Sequence, residues 1–121
     1  MLKAYVINLD RSPERMERMS ALLRTMSIMF ERIPAVDGAT LTEDAIQDII
    51  DIPPHELQPS PTEIGCYLSH TRAWERIARG RDDYGLVLED DVIFAKNFAS
   101  ILDSPKLFAE HPDLVRFEGW K

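Results

Sequence analysis

Three consecutive acids, Glu89, Asp90 and Asp91, interrupt an otherwise apolar stretch, "YGLVLEDDVIF", from Tyr84 to Phe94. Like charges set between apolar segments repel one another and resist burial unless something positive neutralises them. A metal ion, basic side chains or plain solvent could do so. Glu89 and Asp91 are one residue apart, and side chains alternate along a strand, so at a strand end the two carboxylates share a face. Such a pair can hold Mn²⁺ or Mg²⁺ and leave coordination positions open for phosphate oxygens. A solvated turn with incidental acids would look the same in sequence.

A second group lies in "NLDRSPER". Asn8, Asp10 and Arg11 sit between a strand pattern and a helix start, with Arg15 one turn inside the helix. Backbone N–H groups and the helix dipole favour anions at such a junction, and arginine grips phosphate bidentately. An ordinary helix cap with solvated charges is the alternative. Asp37, in "VDG", could accept hydrogen bonds from a ribose or a base, or serve only as a turn residue. In "PTEIGCYLSH", Gly65 falls in the first turn of a helix, where it costs about 1 kcal/mol against alanine, so something is expected to approach the backbone there. Ser69 and His70 could line a pocket wall, although a lone helical histidine is more often structural. Cys66 reads as a small buried residue. The sequence contains no Ser-His-Asp arrangement, zinc-type spacing, P-loop or GxGxxG.

The elements that must position these residues alternate. "KAYVINLD" reads as a buried strand, followed by a helix from Ser12 and Pro13 with Met16, Met19, Leu23 and Met26 on its inner stripe. Phe30 to Val36 reads as a second strand. Thr40 with Glu43 resembles a capping box opening a short helix through Ile50. Pro53, Pro54, Pro59 and Pro61 mark an irregular loop. A long helix then starts at Thr62 as N-cap and stops at Gly80, with Ile64, Tyr67, Thr71, Trp74 and Ala78 as its stripe. Tyr84 to Leu88 is a third strand, Asn97 to Leu102 a short helix, and Leu114 to Phe117 a fourth strand. This order specifies a parallel α/β sheet with right-handed crossovers. Ligands collect beyond the carboxyl ends of such strands, and "NLDRS", "VDG" and "EDD" all fall there. A receiver domain also carries an acidic pair, but after its first strand, whereas these acids begin at residue 89.

With 121 residues, 45% hydrophobic and 29% charged, the chain has the composition of one globular domain with a modest core. A net charge of −7 argues against nucleic acid as a partner. A single cysteine suits a reducing compartment, no apolar run approaches the roughly 20 residues of a membrane span, and Met1-Leu2-Lys3 leads directly into a strand, so a cytoplasmic protein without a signal peptide is expected.

In order along the chain, "YVINLDRSPERMERM", "AVDG", "PTEIGCYLSHTRAWERI" and "LVLEDDV" resemble glycosyltransferase family 25, which includes lipooligosaccharide galactosyltransferases and animal enzymes acting on collagen hydroxylysine. The resemblance covers Lys3 to Phe98; "EIGCYLSH" and "LEDDV" are its most specific blocks. It implies a GT-A type, Rossmann-like parallel sheet flanked by helices, incomplete at its C-terminus, forming one nucleotide-sugar-binding domain over residues 1–121. It further implies transfer of galactose or a related hexose from a UDP-sugar to a glycan or glycolipid acceptor, with inversion, in lipopolysaccharide assembly in bacteria. Peripheral contact with the cytoplasmic face of the inner membrane goes with that acceptor. Glu89, Asp90 and Asp91 match the family's counterpart of the DxD motif, which implies Mn²⁺ on Glu89 and Asp91 bridging the diphosphate. The nucleotide-sugar would lie near Asn8, Asp10, Arg11, Arg15, Asp37, Gly65, Ser69, His70, Glu89 and Asp90. No general base is nominated, because the family's acceptor half lies outside the matched blocks. A nucleotide-sugar-binding or interaction module without catalysis is the alternative.

Overall fold

The computed structural model describes residues 2–53 and 55–117, and two compact units are distinguished among them, divided between residues 92 and 93. The larger unit is an α/β layer structure. β1 (Ala4–Asn8) is the central strand, paired in parallel with β2 (Phe30–Pro34) on one side and β3 (Leu86–Glu89) on the other, giving the order β2-β1-β3. The register sets Val6 opposite Arg32 and Leu88, and Ile7 opposite Ile33 and Glu89. All three carboxyl ends therefore share one edge. β1 is buried along its whole length, as expected of a strand covered on both faces.

α1 (Pro13–Thr25) connects β1 to β2 and buries Met19 and Leu23, with Met16 and Met26 half-buried. Ser12 occupies its N-cap position but makes no side-chain capping bond. A one-turn 3₁₀ segment, 38–40, follows β2, and then come α2 (Glu43–Ile49) and α3 (Pro61–Ala78), which leads to β3. On the α3 side, Tyr5, Ile7, Ile33 and Ala73 form one buried cluster, with Ile77 packed against it. The chain leaves β1 toward β2 and then returns across β1 to reach β3. The crevice beyond the carboxyl ends of β1 and β3 is thus the point where the winding reverses, the usual ligand position in open α/β sheets.

Several boundaries differ from expectation, each for a local reason. β2 ends at Pro34 because Val36 N–H turns to the Ser69 hydroxyl, at 2.9 Å. Thr42, not Thr40, caps α2, accepting from Ala45 N–H at 3.1 Å, while the Thr40 hydroxyl donates back to the Asp37 carbonyl. Ser60, not Thr62, caps α3, since Pro61 lacks an N–H and fits the first helical position. The stripe of α3 also differs: Ile64, Gly65, Ser69 and Ala73 face inward, while Tyr67 and Trp74 are 59% and 50% exposed. Small residues took the inner face because the backbone there approaches other backbone.

In the smaller unit, α4 (Phe98–Leu102) buries Phe98 and Leu102, and the Phe98 ring meets Phe94 at 4.9 Å and Phe117 at 5.6 Å between centroids. Residues 114–117 form no strand, so among the described residues the sheet has three strands rather than four. Trp120, which could mark a surface near the terminus, lies outside the described residues.

Candidate functional site at the strand ends

Asn8 is the hub of the edge. It is 2% exposed, and its side chain is fully used: Nδ2 donates to Asp90 Oδ2 at 2.8 Å and to the Ser12 carbonyl at 2.9 Å, while Oδ1 accepts from Arg32 Nε at 2.9 Å. One short polar side chain thereby ties β1, the start of α1, β2 and the turn after β3 together. A buried amide with every group partnered adds specificity of position without a desolvation penalty.

The acidic triplet splits according to this hub. Asp90 turns inward, 9% exposed, held by Asn8 and by Arg15, whose guanidinium lies 3.5 Å from Oδ1. Glu89 and Asp91 flank it and are exposed. Part of the positive charge that the triplet required is therefore basic side chain, reaching Asp90. The two outward carboxylates are hard oxygen donors on either side of the fixed residue, a donor set that fits Mn²⁺ or Mg²⁺.

Around them stand the cations. Arg32 donates to the Asn8 carbonyl at 2.9 Å and to Asp10 at 2.6 Å; Asp10 itself is largely exposed. Arg11 is paired with Asp37. Asp37 also caps the 3₁₀ turn by accepting from Ala39 N–H at 3.1 Å, so its turn role is realised whatever else it does. Arg11 and Arg15 each keep more than half of their side chain exposed, which leaves N–H donors facing solvent for an anion. Arg11, Arg15 and Arg32 thus stand among Asp10, Asp37, Glu89, Asp90 and Asp91 at one sheet edge, a mixed cluster in which the acids outnumber the arginines.

Gly65 and Ser69 sit one helical turn apart at a backbone crossing. A β-carbon on Gly65 would fall 2.7 Å from Gly38 N and 2.9 Å from the Val36 carbonyl; one on Gly38 would fall 2.0 Å from the Pro61 carbonyl. What approaches Gly65 is the turn after β2. Ser69 is buried, its hydroxyl donating to the Gly65 carbonyl at 2.7 Å and accepting from Val36 N–H. Together they fix Asp37 relative to α3.

His70 and Cys66 lie one turn apart on α3, and both reach the end of β3. The Cys66 thiol is exposed, not buried as its small apolar character suggested, and stands 3.5 Å from Glu89 Oε1 and 3.7 Å from His70 Nδ1. Partial burial, and then the negative charge of Glu89, push the thiol above its ordinary pKa.

Sequence reasoning missed Arg32 and Arg72. Arg32 had a signal: a lone cation in the apolar strand "FERIPAV" must find an anion, and the acids at the neighbouring strand ends supply it. Arg72 donates to the Pro34 carbonyl at 2.9 Å, where β2 ends, and nothing in the sequence marks that.

Over residues 1–121 the chain matches the family described as Glycosyltransferase family 25 (LPS biosynthesis protein). The chain belongs to glycosyltransferase family 25. It is 34% identical to a protein of Drosophila pseudoobscura pseudoobscura named "Glycosyltransferase 25 family member", over 93% of this chain and 20% of that protein. A protein of the same name in Aedes aegypti is 35% identical over 96% of this chain. A human protein, "Inactive glycosyltransferase 25 family member 3", is 40% identical over 84% of this chain. The family 25 chain spans about a fifth of the length of the curated relatives it matches. These relatives are animal proteins and point away from the expected bacterial setting. No helix among the described residues is long and apolar enough to cross a membrane.

Proposed function

We propose that this chain is the donor-binding part of a UDP-hexose-dependent glycosyltransferase that passes galactose, or a related hexose, to a glycan hydroxyl with inversion at the anomeric carbon. The observation that carries this reading is the convergence of Asn8, Asp90, Arg15 and Arg32 at the reversal point between β1 and β3, with Glu89 and Asp91 left outward. Arg11 and Arg15 would grip diphosphate oxygens, and Asn8 with Asp90 would hold the two walls of the crevice at fixed separation. Glu89 and Asp91 would hold Mn²⁺ or Mg²⁺, which when bound would neutralise charge growing on the departing diphosphate. The family's description supports a lipopolysaccharide-type acceptor, and a place at the cytoplasmic face of the inner membrane would follow from it; the animal relatives support only a glycan acceptor in general.

Calorimetric titration with UDP and UDP-galactose, in Mn²⁺ and in EDTA, tests the reading. Metal-dependent binding that a Glu89→Ala/Asp91→Ala variant loses is expected; a folded wild-type chain that gives no heat with either nucleotide overturns it. A second reading, a nucleotide-sugar-binding module without catalysis, is favoured by the human relative's name. Both readings expect UDP binding, and sugar transfer by the full gene product separates them.

A further inference from the structure

Cys66, His70 and Glu89 offer one sulfur, one nitrogen and one oxygen whose ligating atoms lie within 4.8 Å of one another. A tetrahedral Zn²⁺ with bonds of about 2.3 Å to sulfur and about 2.0 Å to nitrogen and oxygen sets its ligand atoms about 3.3 to 3.5 Å apart. The thiol stands 3.5 Å from Glu89 Oε1 and 3.7 Å from His70 Nδ1, so two edges of such a tetrahedron are already close to length. We propose that Cys66, His70 and Glu89 form a binding site for a borderline-soft divalent cation, Zn²⁺ above all, at the junction of α3 and β3.

The elements hold the ligands in place. Cys66 and His70 are spaced four residues apart on α3, so both project from one face. Glu89 ends β3, which hydrogen-bonds to the buried central strand. Trp74, one turn beyond His70, meets its ring edge-on at 6.1 Å between centroids and limits its rotation. His70 Nδ1 also lies 2.9 Å from the Cys66 carbonyl, to which it can only donate. Coordination through Nδ1 gives up that bond and moves the ring proton to Nε2. The thiol loses its proton to solvent as the sulfur–metal bond forms. Three protein ligands leave a fourth position open, as in zinc sites that take water or substrate. Thiolate and imidazole select this cation over Mg²⁺ or Mn²⁺, which prefer oxygen. The inference does not rest on the donor-site reading, although Glu89 is common to both.

Co²⁺, titrated into the chain as a spectroscopic substitute for Zn²⁺, tests it. The expected result is a near-ultraviolet thiolate-to-cobalt charge-transfer band that Zn²⁺ abolishes and Cys66→Ser lacks. His70→Ala and Glu89→Ala should each weaken Co²⁺ binding about tenfold or more, since even outer partners of metal ligands cost that much. Asp91→Ala should leave the band intact, which separates this site from a Glu89/Asp91 metal site. Circular dichroism of each variant establishes folding. No band in the folded wild type overturns the proposal. So does a band that keeps wild-type affinity in both His70→Ala and Glu89→Ala, which is a simple thiol adduct, or one lost in a folded Asp91→Ala. Nucleotide binding has no part in this readout, so its failure leaves the donor-site reading where it was, and the reverse.

Discussion

α1 turns Met19 and Leu23 inward, two of the largest fully buried side chains among the described residues, whereas α3 turns inward Gly65, Ser69 and Ala73 beside a single large residue, Ile64, and leaves Tyr67 and Trp74 half or more exposed. Large inner residues make α1 a hydrophobic cover for the sheet. Small inner residues let α3 bring backbone against backbone, at Gly65 and Gly38, and hydrogen-bond it to the turn after β2 through Ser69. The first helix stabilises; the second positions. Cys66 and His70, the two side chains that reach the end of β3, both come from this positioning helix.

The contrast can be broken most sharply by size. Leu23→Ala on α1 should cost about 2–5 kcal/mol in urea unfolding, from lost transfer energy and the cavity left behind. On α3 the sign of the size effect reverses. Gly65→Ala, which would gain helix propensity on an open helix, should instead cost about 1–3 kcal/mol, because its new methyl meets the backbone of Gly38 and Val36. Equal stability of that variant and wild type would refute the close-approach account.

A smaller effect concerns how α3 is tethered. Glu31 accepts from Lys3 at 2.7 Å and from Arg76 of α3 at 2.8 Å, and the Lys3 hydrogen bond, aided by Arg76 against some desolvation, holds its carboxyl below the usual range. A carboxyl depressed on folding contributes stability above its unfolded pKa and loses it as pH falls through the folded one. Glu31→Gln should therefore flatten the acid side of the stability–pH curve and leave the shape near neutrality unchanged. The smallest effect is expected at Trp74. Its truncation to alanine should change stability by no more than about 0.5 kcal/mol, because it is a half-exposed residue outside the core cluster. A loss comparable to Leu23→Ala would place Trp74 in the core and erase the contrast.

Much of the frame was legible in the chain. The three strands, both long helices and the short α4 follow from apolar runs, from Pro13 at a helix start and from the proline-rich loop, and their order alone requires parallel strands; Pro61, read as part of that loop, instead opens α3. The stripe of α3 was not legible, since Tyr67 and Trp74 have helical spacing from Ile64 and look like core; only the glycine in the first turn hinted that a tight approach mattered more. The fourth strand was misread from "LVRF", where Phe117 packs its ring on Phe98, Leu114 is exposed and no ladder forms.

The candidate site divides in the same way. Sequence supplied its chemical types: acids after β3, an Asn-Asp-Arg group after β1, an aspartate after β2, each placed at the carboxyl edge by strand direction. Tertiary structure decided which of them meet. That Asp90 rather than Glu89 or Asp91 turns inward depends on Asn8, 82 residues away in sequence. That Arg32 binds Asn8 and Asp10 depends on parallel register, and that Cys66 and His70 reach Glu89 depends on how closely α3 packs. Alternation and capping act over a few residues, so the sequence by itself determines elements and their direction. Hydrogen bonds and ligand sets join residues that only the packed chain brings within about 3 to 4 Å, so their pairing is a property of the fold.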